Sequence, residues 1–149
     1  MADAPDPQEV AERTVAGMLE HDAASRALGM EVLETAPGRS SVRMTIRADM
    51  LNGFAICHGG FITSLADSAF AFACNSHGEL TVASGIVVDF IAPAREGDVL
   101  TAICHEVTRS GRTGVYDARV HNQAGMLIAV FRGRSYCIKG QPSIPPVAP

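Results

Sequence analysis

Asp67 is the only charged residue in the run Phe61-Ile62-Thr63-Ser64-Leu65-Ala66-Asp67-Ser68-Ala69-Phe70-Ala71-Phe72-Ala73-Cys74. Taking a carboxylate out of water is costly unless something compensates it. An acid among Leu65, Ala66, Ala69, Phe70 and Phe72 therefore has either a chemical task or a structural bond. The task is that of nucleophile or general base. The bond would run to a loop, or to Thr63 or Ser64 one turn earlier. His58-Gly59-Gly60 opens the same run. Two glycines at a helix start leave backbone N–H groups open to a ligand, where the helix dipole favours negative charge. Backbone alone can build an oxyanion hole in this way, although a tight turn uses the same residues. His58 is a candidate base, substrate contact or structural residue, with no second residue at metal-ligand spacing, so no metal is expected.

Gly59 and Asp67 are eight residues apart, about 12 Å along a helix axis. A reacting carbonyl must lie within about 3 Å of both its oxyanion donors and its attacking group. If both act on one carbonyl, the simplest geometry draws them from two subunits.

These residues need a helix to carry them and a sheet to hold the helix. Asp6-Pro7-Gln8-Glu9 is a helix start, with the helix running to about Asp22 and a short second one before Gly29. Met30–Glu34 and Ser41–Ile46 alternate about Pro37-Gly38 and predict a hairpin. Residues 48–60 form a loop. After the apolar helix, apolar on nearly every side, come strands at Thr81–Ile91, Val99–Thr108, Val115–Asn122 and Met126–Ile138. Their breaks fall at Pro93 with Gly97, at Ser110-Gly111-Arg112 and at Ala124-Gly125. The expected class is α+β, an antiparallel sheet wrapped around one long helix. One domain spans 7–139 between a frayed 1–6 and a Pro-rich, disordered 140–149. Such a domain covers only part of its helix, so dimerisation through a sheet edge or the helix region is expected.

The chain has 149 residues, and 12 Lys and Arg against 16 Asp and Glu give a net charge of −4. That mild acidity points away from nucleic acid. Cys57, Cys74, Cys104 and Cys137 are scattered, as free thiols in a reducing compartment are. The N-terminus lacks signal-peptide features and the apolar run is too short to span a bilayer. A soluble cytoplasmic protein without a membrane partner is expected.

Asn52, Cys57-His58-Gly59-Gly60, Leu65–Asn75, Gly114-Val115-Tyr116-Asp117 and Phe131-Arg132-Gly133-Arg134-Ser135-Tyr136 resemble the hotdog-fold thioesterases of phenylacetate catabolism. The likeness runs in matching order over roughly residues 10–139. It implies a hotdog fold and hydrolysis of aryl-acetyl-CoA, such as phenylacetyl-CoA or hydroxylated derivatives, by a dimer or a tetramer built from dimers. It further implies that the Gly59 N–H polarises the thioester carbonyl and that Asp67 of the partner subunit is nucleophile or general base. Asn52 would position the carbonyl or the water, and Ser68 would hold the lytic water. His58 and Gly60 would contact substrate.

So spare a site suits the chemistry. A thiol pKa near 8.5 lets a thiolate leave without a strong acid, so no cofactor is needed and CoA enters as part of the substrate. For its phosphates, Arg109-Ser110-Gly111-Arg112-Thr113 offers two guanidiniums around a glycine. Related hotdog enzymes use this turn, together with the loop at Pro93-Ala94-Arg95; a solvated hairpin tip is the plainer alternative. Ser84 is a further candidate to line the acyl site. The rival functions are a hotdog hydratase or dehydratase, which would need an acid–base partner such as His58, and a non-catalytic acyl-CoA binder.

Overall fold

A computed structural model describes residues 3–144. Helix α1 (Pro7–His21) starts as expected. The Asp6 carboxylate accepts from the Gln8 N–H, and Pro7, with no N–H to leave unpaired, sits in the first turn. Asp22 ends α1 and caps α2 (Ala23–Ala27), accepting from the Ser25 N–H at 2.9 Å. Strands β1 (Glu31–Ala36) and β2 (Arg39–Thr45) form the expected hairpin. Gly38 turns it with φ 71°, a conformation that a side chain would strain.

A short 3₁₀ turn, Ala48–Met50, precedes α3 (Gly59–Asn75). Strands β3 (Glu79–Phe90), β4 (Val99–Ser110), β5 (Thr113–His121) and β6 (Leu127–Pro142) follow. The six strands pair antiparallel in the order β1-β2-β4-β5-β6-β3. The expected α+β arrangement is therefore present. Helix α3 packs on β2 through β6, presenting Leu65, Ala66, Ala69, Phe70 and Ala73 to Leu100, Tyr116, Val120 and Phe131, all buried. The Phe70 ring lies 5.5 Å from that of Tyr116 and 5.7 Å from that of Phe131. All four cysteines are unpaired.

Two expectations need correction. Helix α3 is not buried on every side: Gly60 and Asp67 are exposed, and Thr63, Ser64, Ser68 and Ala71 are half-buried. They recur every three to four residues as one stripe, on the side the sheet leaves open. The Pro-rich end is not wholly irregular. Strand β6 continues through Gly140 to Pro142, and the Ser143 hydroxyl donates to Asn75 Oδ1 at 2.9 Å. Its remainder, 145–149, like residues 1–2, lies outside the described residues. The long strand β3, whose neighbour the sequence reading did not specify, stands at the sheet edge beside β6.

Candidate active site

The loop before α3 is built by Asn52. Its Oδ1 accepts from the Phe54 N–H at 2.9 Å and the Ile56 N–H at 3.4 Å, while its own N–H donates to Ile56 O. Ala55 takes φ 58° inside this turn. With Oδ1 committed, the Asn52 amide keeps its NH₂ group, which meets no acceptor among the described residues.

His58 caps α3: its Nδ1 accepts from the Gly60 N–H at 3.4 Å. The Phe61 N–H turns back to His58 O at 3.0 Å. Of the first three N–H groups of the helix, only that of Gly59 finds no acceptor among the described residues. Gly59 also lies beneath Phe90, whose Cζ would stand 2.8 Å from any Cβ placed there. A side chain at position 59 would displace that ring. Asn52, Ile56, Gly59, Ile62, Phe90 and Pro93 line a cleft of about 530 Å³. Burial pushes the Cys57 thiol in its wall up to about 11, so it stays protonated and is no nucleophile.

Asp67 lies two turns further along. The hydroxyls of Thr63 and Ser64 donate to Gly59 O and Gly60 O, both at 2.8 Å. The structural bond they offered to Asp67 is not made, and the Asp67 carboxylate has no hydrogen bond among the described residues. Desolvation, and then the charge of Asp22, raise its carboxyl above the ordinary range. Ser68 faces α2, with its Oγ 2.8 Å from Ser25 Oγ, which donates to Asp22 Oδ2 at 2.6 Å.

The remaining candidates are spread over the chain. Ser84 is exposed at a bulge of the β3 edge, its hydroxyl donating to Arg134 O at 3.2 Å. Arg95 is exposed in the loop past Pro93. Arg109, Ser110, Gly111, Arg112 and Thr113 form the exposed β4–β5 tip, which adjoins Cys74 and His77 at the C-terminal end of α3. That is a whole helix, about 25 Å, from the Gly59 cleft. Below the tip, burial pushes Glu106 up, but bonds from His77 at 2.8 Å and Tyr116 at 2.7 Å together hold it below the usual carboxylate range. Among the described residues no three His, Cys, Asp or Glu side chains converge as metal ligands do.

One chain thus unites Asn52, Gly59 and Pro93 in a donor-bearing apolar cleft, and leaves Asp67 and the β4–β5 tip outside it. Sequence reasoning missed Phe90 and Ile56 as walls of that cleft. It also missed the contact of Ser25, held by Asp22, with Ser68. A D-x-x-S cap was readable at 22–25, but its approach to position 68 spans 43 residues and left no local trace.

Residues 54–129 match the family model of the thioesterase superfamily. The acyl-coenzyme A thioesterase PaaI of Escherichia coli is 46% identical over 123 residues, covering 83% of this chain and 88% of that protein. The structure of the E. coli PaaI protein from the phenylacetic acid degradation operon superposes with a TM-score of 0.89 at 43% identity. It covers 91% of this chain and 99% of that one. A mutant of the phenylacetic acid degradation protein PaaI from Thermus thermophilus is 39% identical with a TM-score of 0.76, over 78% of this chain and all of the other. The chain belongs to the thioesterase superfamily and is a thioester hydrolase with the hotdog fold.

Proposed function

We propose that this chain hydrolyses aryl-acetyl-CoA, at a site made of the Asn52–Gly59 cleft of one copy and Asp67 of another. The observation that carries the proposal is the separation of two unsatisfied groups. One is an open N–H at Gly59; the other is an unbonded carboxylate at Asp67, eight residues along the same helix and outside the same cleft. Neither group alone cleaves a thioester, and a second helix laid against the open stripe of α3 supplies each with the other.

The thioester carbonyl oxygen accepts from the Gly59 N–H and the Asn52 NH₂ group. Asp67 of the second copy takes a proton from water as the water oxygen attacks the carbonyl carbon. Collapse of the tetrahedral intermediate breaks the C–S bond, and CoA leaves as a thiolate, which needs no strong acid. The raised carboxyl of Asp67 makes it a better base than an ordinary aspartate. Because Nδ1 of His58 caps α3, the hydratase alternative would have to use its Nε2 as the acid–base group.

An aryl-acetyl group suits an apolar cleft walled by Ile56, Ile62, Phe90 and Pro93. The relative from a phenylacetic acid degradation operon favours the same substrate. The exposed Arg109 and Arg112, with Gly111 between them and Arg95 as a further cation, are the phosphate contacts we assign. Ser84, on the open edge, is assigned to the acyl side of the partner's site. A dimer of dimers is the assembly this implies.

The test is thiol release from phenylacetyl-, hydroxyphenylacetyl- and straight-chain acyl-CoAs by wild type and by Asp67→Ala of confirmed fold. Fastest release from the aryl esters, lost in the variant, is the expected result. Preserved kcat in a folded Asp67→Ala contradicts the mechanism, and a straight-chain preference contradicts the substrate class.

A further inference from the structure

Ser25, buried between α2 and α3, connects the Asp22 carboxylate to the hydroxyl next to Asp67. The protons in this chain can be assigned by counting. A carboxylate only accepts, and a serine hydroxyl has one proton. The Ser25 proton lies on the 2.6 Å bond to Asp22 Oδ2, so the 2.8 Å contact with Ser68 must use the Ser68 proton. Other hydroxyls of α3 spend their protons differently: Thr63 and Ser64 donate back to carbonyls one turn earlier.

We infer that Asp22 and Ser25 are positioning residues that fix Ser68 as a hydrogen-bond acceptor beside Asp67, so that a water held between them donates both protons and keeps both lone pairs unengaged for attack. The inference rests on Asp67 being the catalytic carboxylate. Water has two protons and two lone pairs. Between two acceptors, Asp67 and Ser68, it donates both protons and turns a lone pair to the carbonyl carbon. A Ser68 that donated would instead engage one of the two lone pairs, leave one water proton without an acceptor and draw electron density from the attacking oxygen. In the step itself the water oxygen bonds to carbon and one proton passes to Asp67. The second proton stays on that oxygen, hydrogen-bonded to Ser68, and leaves with the carboxylic acid product when collapse breaks the C–S bond and expels the thiolate.

Two substitutions separate this role from mere capping. Asp22→Asn keeps the cap on the Ser25 N–H, because asparagine caps as well as aspartate. Its NH₂ then faces Ser25 Oγ, the Ser25 proton turns to Ser68, and Ser68 becomes a donor. Ser25→Ala frees Ser68 while leaving the charge of Asp22 in place. Each should lower kcat about three- to tenfold, the scale of one hydrogen bond, with KM for phenylacetyl-CoA unchanged. Asp22→Asn alone should also shift the acidic limb of the kcat profile to lower pH, since the negative charge of Asp22 helps to raise the Asp67 carboxyl.

The experiment is steady-state thiol release from phenylacetyl-CoA across pH by wild type, Ser25→Ala, Asp22→Asn and Asp67→Ala, each with its melting temperature. Slower turnover in both relay variants, at wild-type melting temperature and KM, supports the relay. Wild-type kcat in a folded Asp22→Asn or Ser25→Ala overturns it, even while Asp67→Ala is inactive. Turnover surviving Asp67→Ala overturns the carboxylate assignment and the relay with it.

Discussion

At the scale of single residues, the site is legible in what each polar group has left after its local bonds are made. Asn52, in the cleft wall, spends Oδ1 on its own turn and keeps an NH₂ group with no acceptor among the described residues. Asn52→Asp retains the turn acceptor and loses that donor. It should fold normally and lower kcat about 10²-fold, the usual cost of one oxyanion donor, as thiol release and circular dichroism would show. Asp67 is legible as an anomaly of charge in an apolar run. What the sequence misjudged is its surroundings, because periodicity marks a helix face but not whether the same chain covers it. Its raised carboxyl binds a proton more tightly folded than unfolded. The group therefore stabilises the fold below its ordinary value, near pH 4, and that gain is lost as pH rises through the raised folded value. At neutral pH the ionised carboxylate is a net cost. Asp67→Asn should melt above wild type at pH 7, with the advantage shrinking toward about pH 4; a thermal melt series over pH reads this directly.

At the scale of elements, caps and turns were readable because they are local: Asp6-Pro7 opens α1, and Pro37-Gly38 turns β1 into β2. The position of β3 was not readable. Its strand signal is plain, but antiparallel sheets are assembled by contacts far apart in sequence, and β6 takes β3 as its neighbour across a gap that no local pattern encodes. That position matters. The outer edge of β3 is unpaired, and Ile86 and Phe90 remain 41% and 54% exposed on a strand otherwise suited to burial. A long apolar edge is a template for a second chain. Ile86→Lys should weaken association between copies, because a charge on that edge loses its solvent when paired. Sedimentation should show a smaller species, and activity should fall with it; an unchanged assembly would place the contact elsewhere.

At the scale of the whole molecule, the proposed mechanism needs two half-sites, the Gly59 cleft of one copy and Asp67 of another. The Gly59 cleft and Asp67 are held about 12 Å apart by the stiffness of one helix, and the β4–β5 tip stands at that helix's far end. The eight-residue spacing is what raised a shared site from the sequence, while the cleft's walls and the open stripe of α3 required the fold. The most direct measurement is thiol release after mixing two disabled variants, Asp67→Ala and Asn52→Asp, under conditions that exchange subunits. If the site is shared between copies, each hybrid pair regains one intact site. Random exchange then restores about a quarter of wild-type activity. If one chain holds the whole site, every site in the mixture carries a defect, and activity that stays at the level of the separate variants would contradict the account.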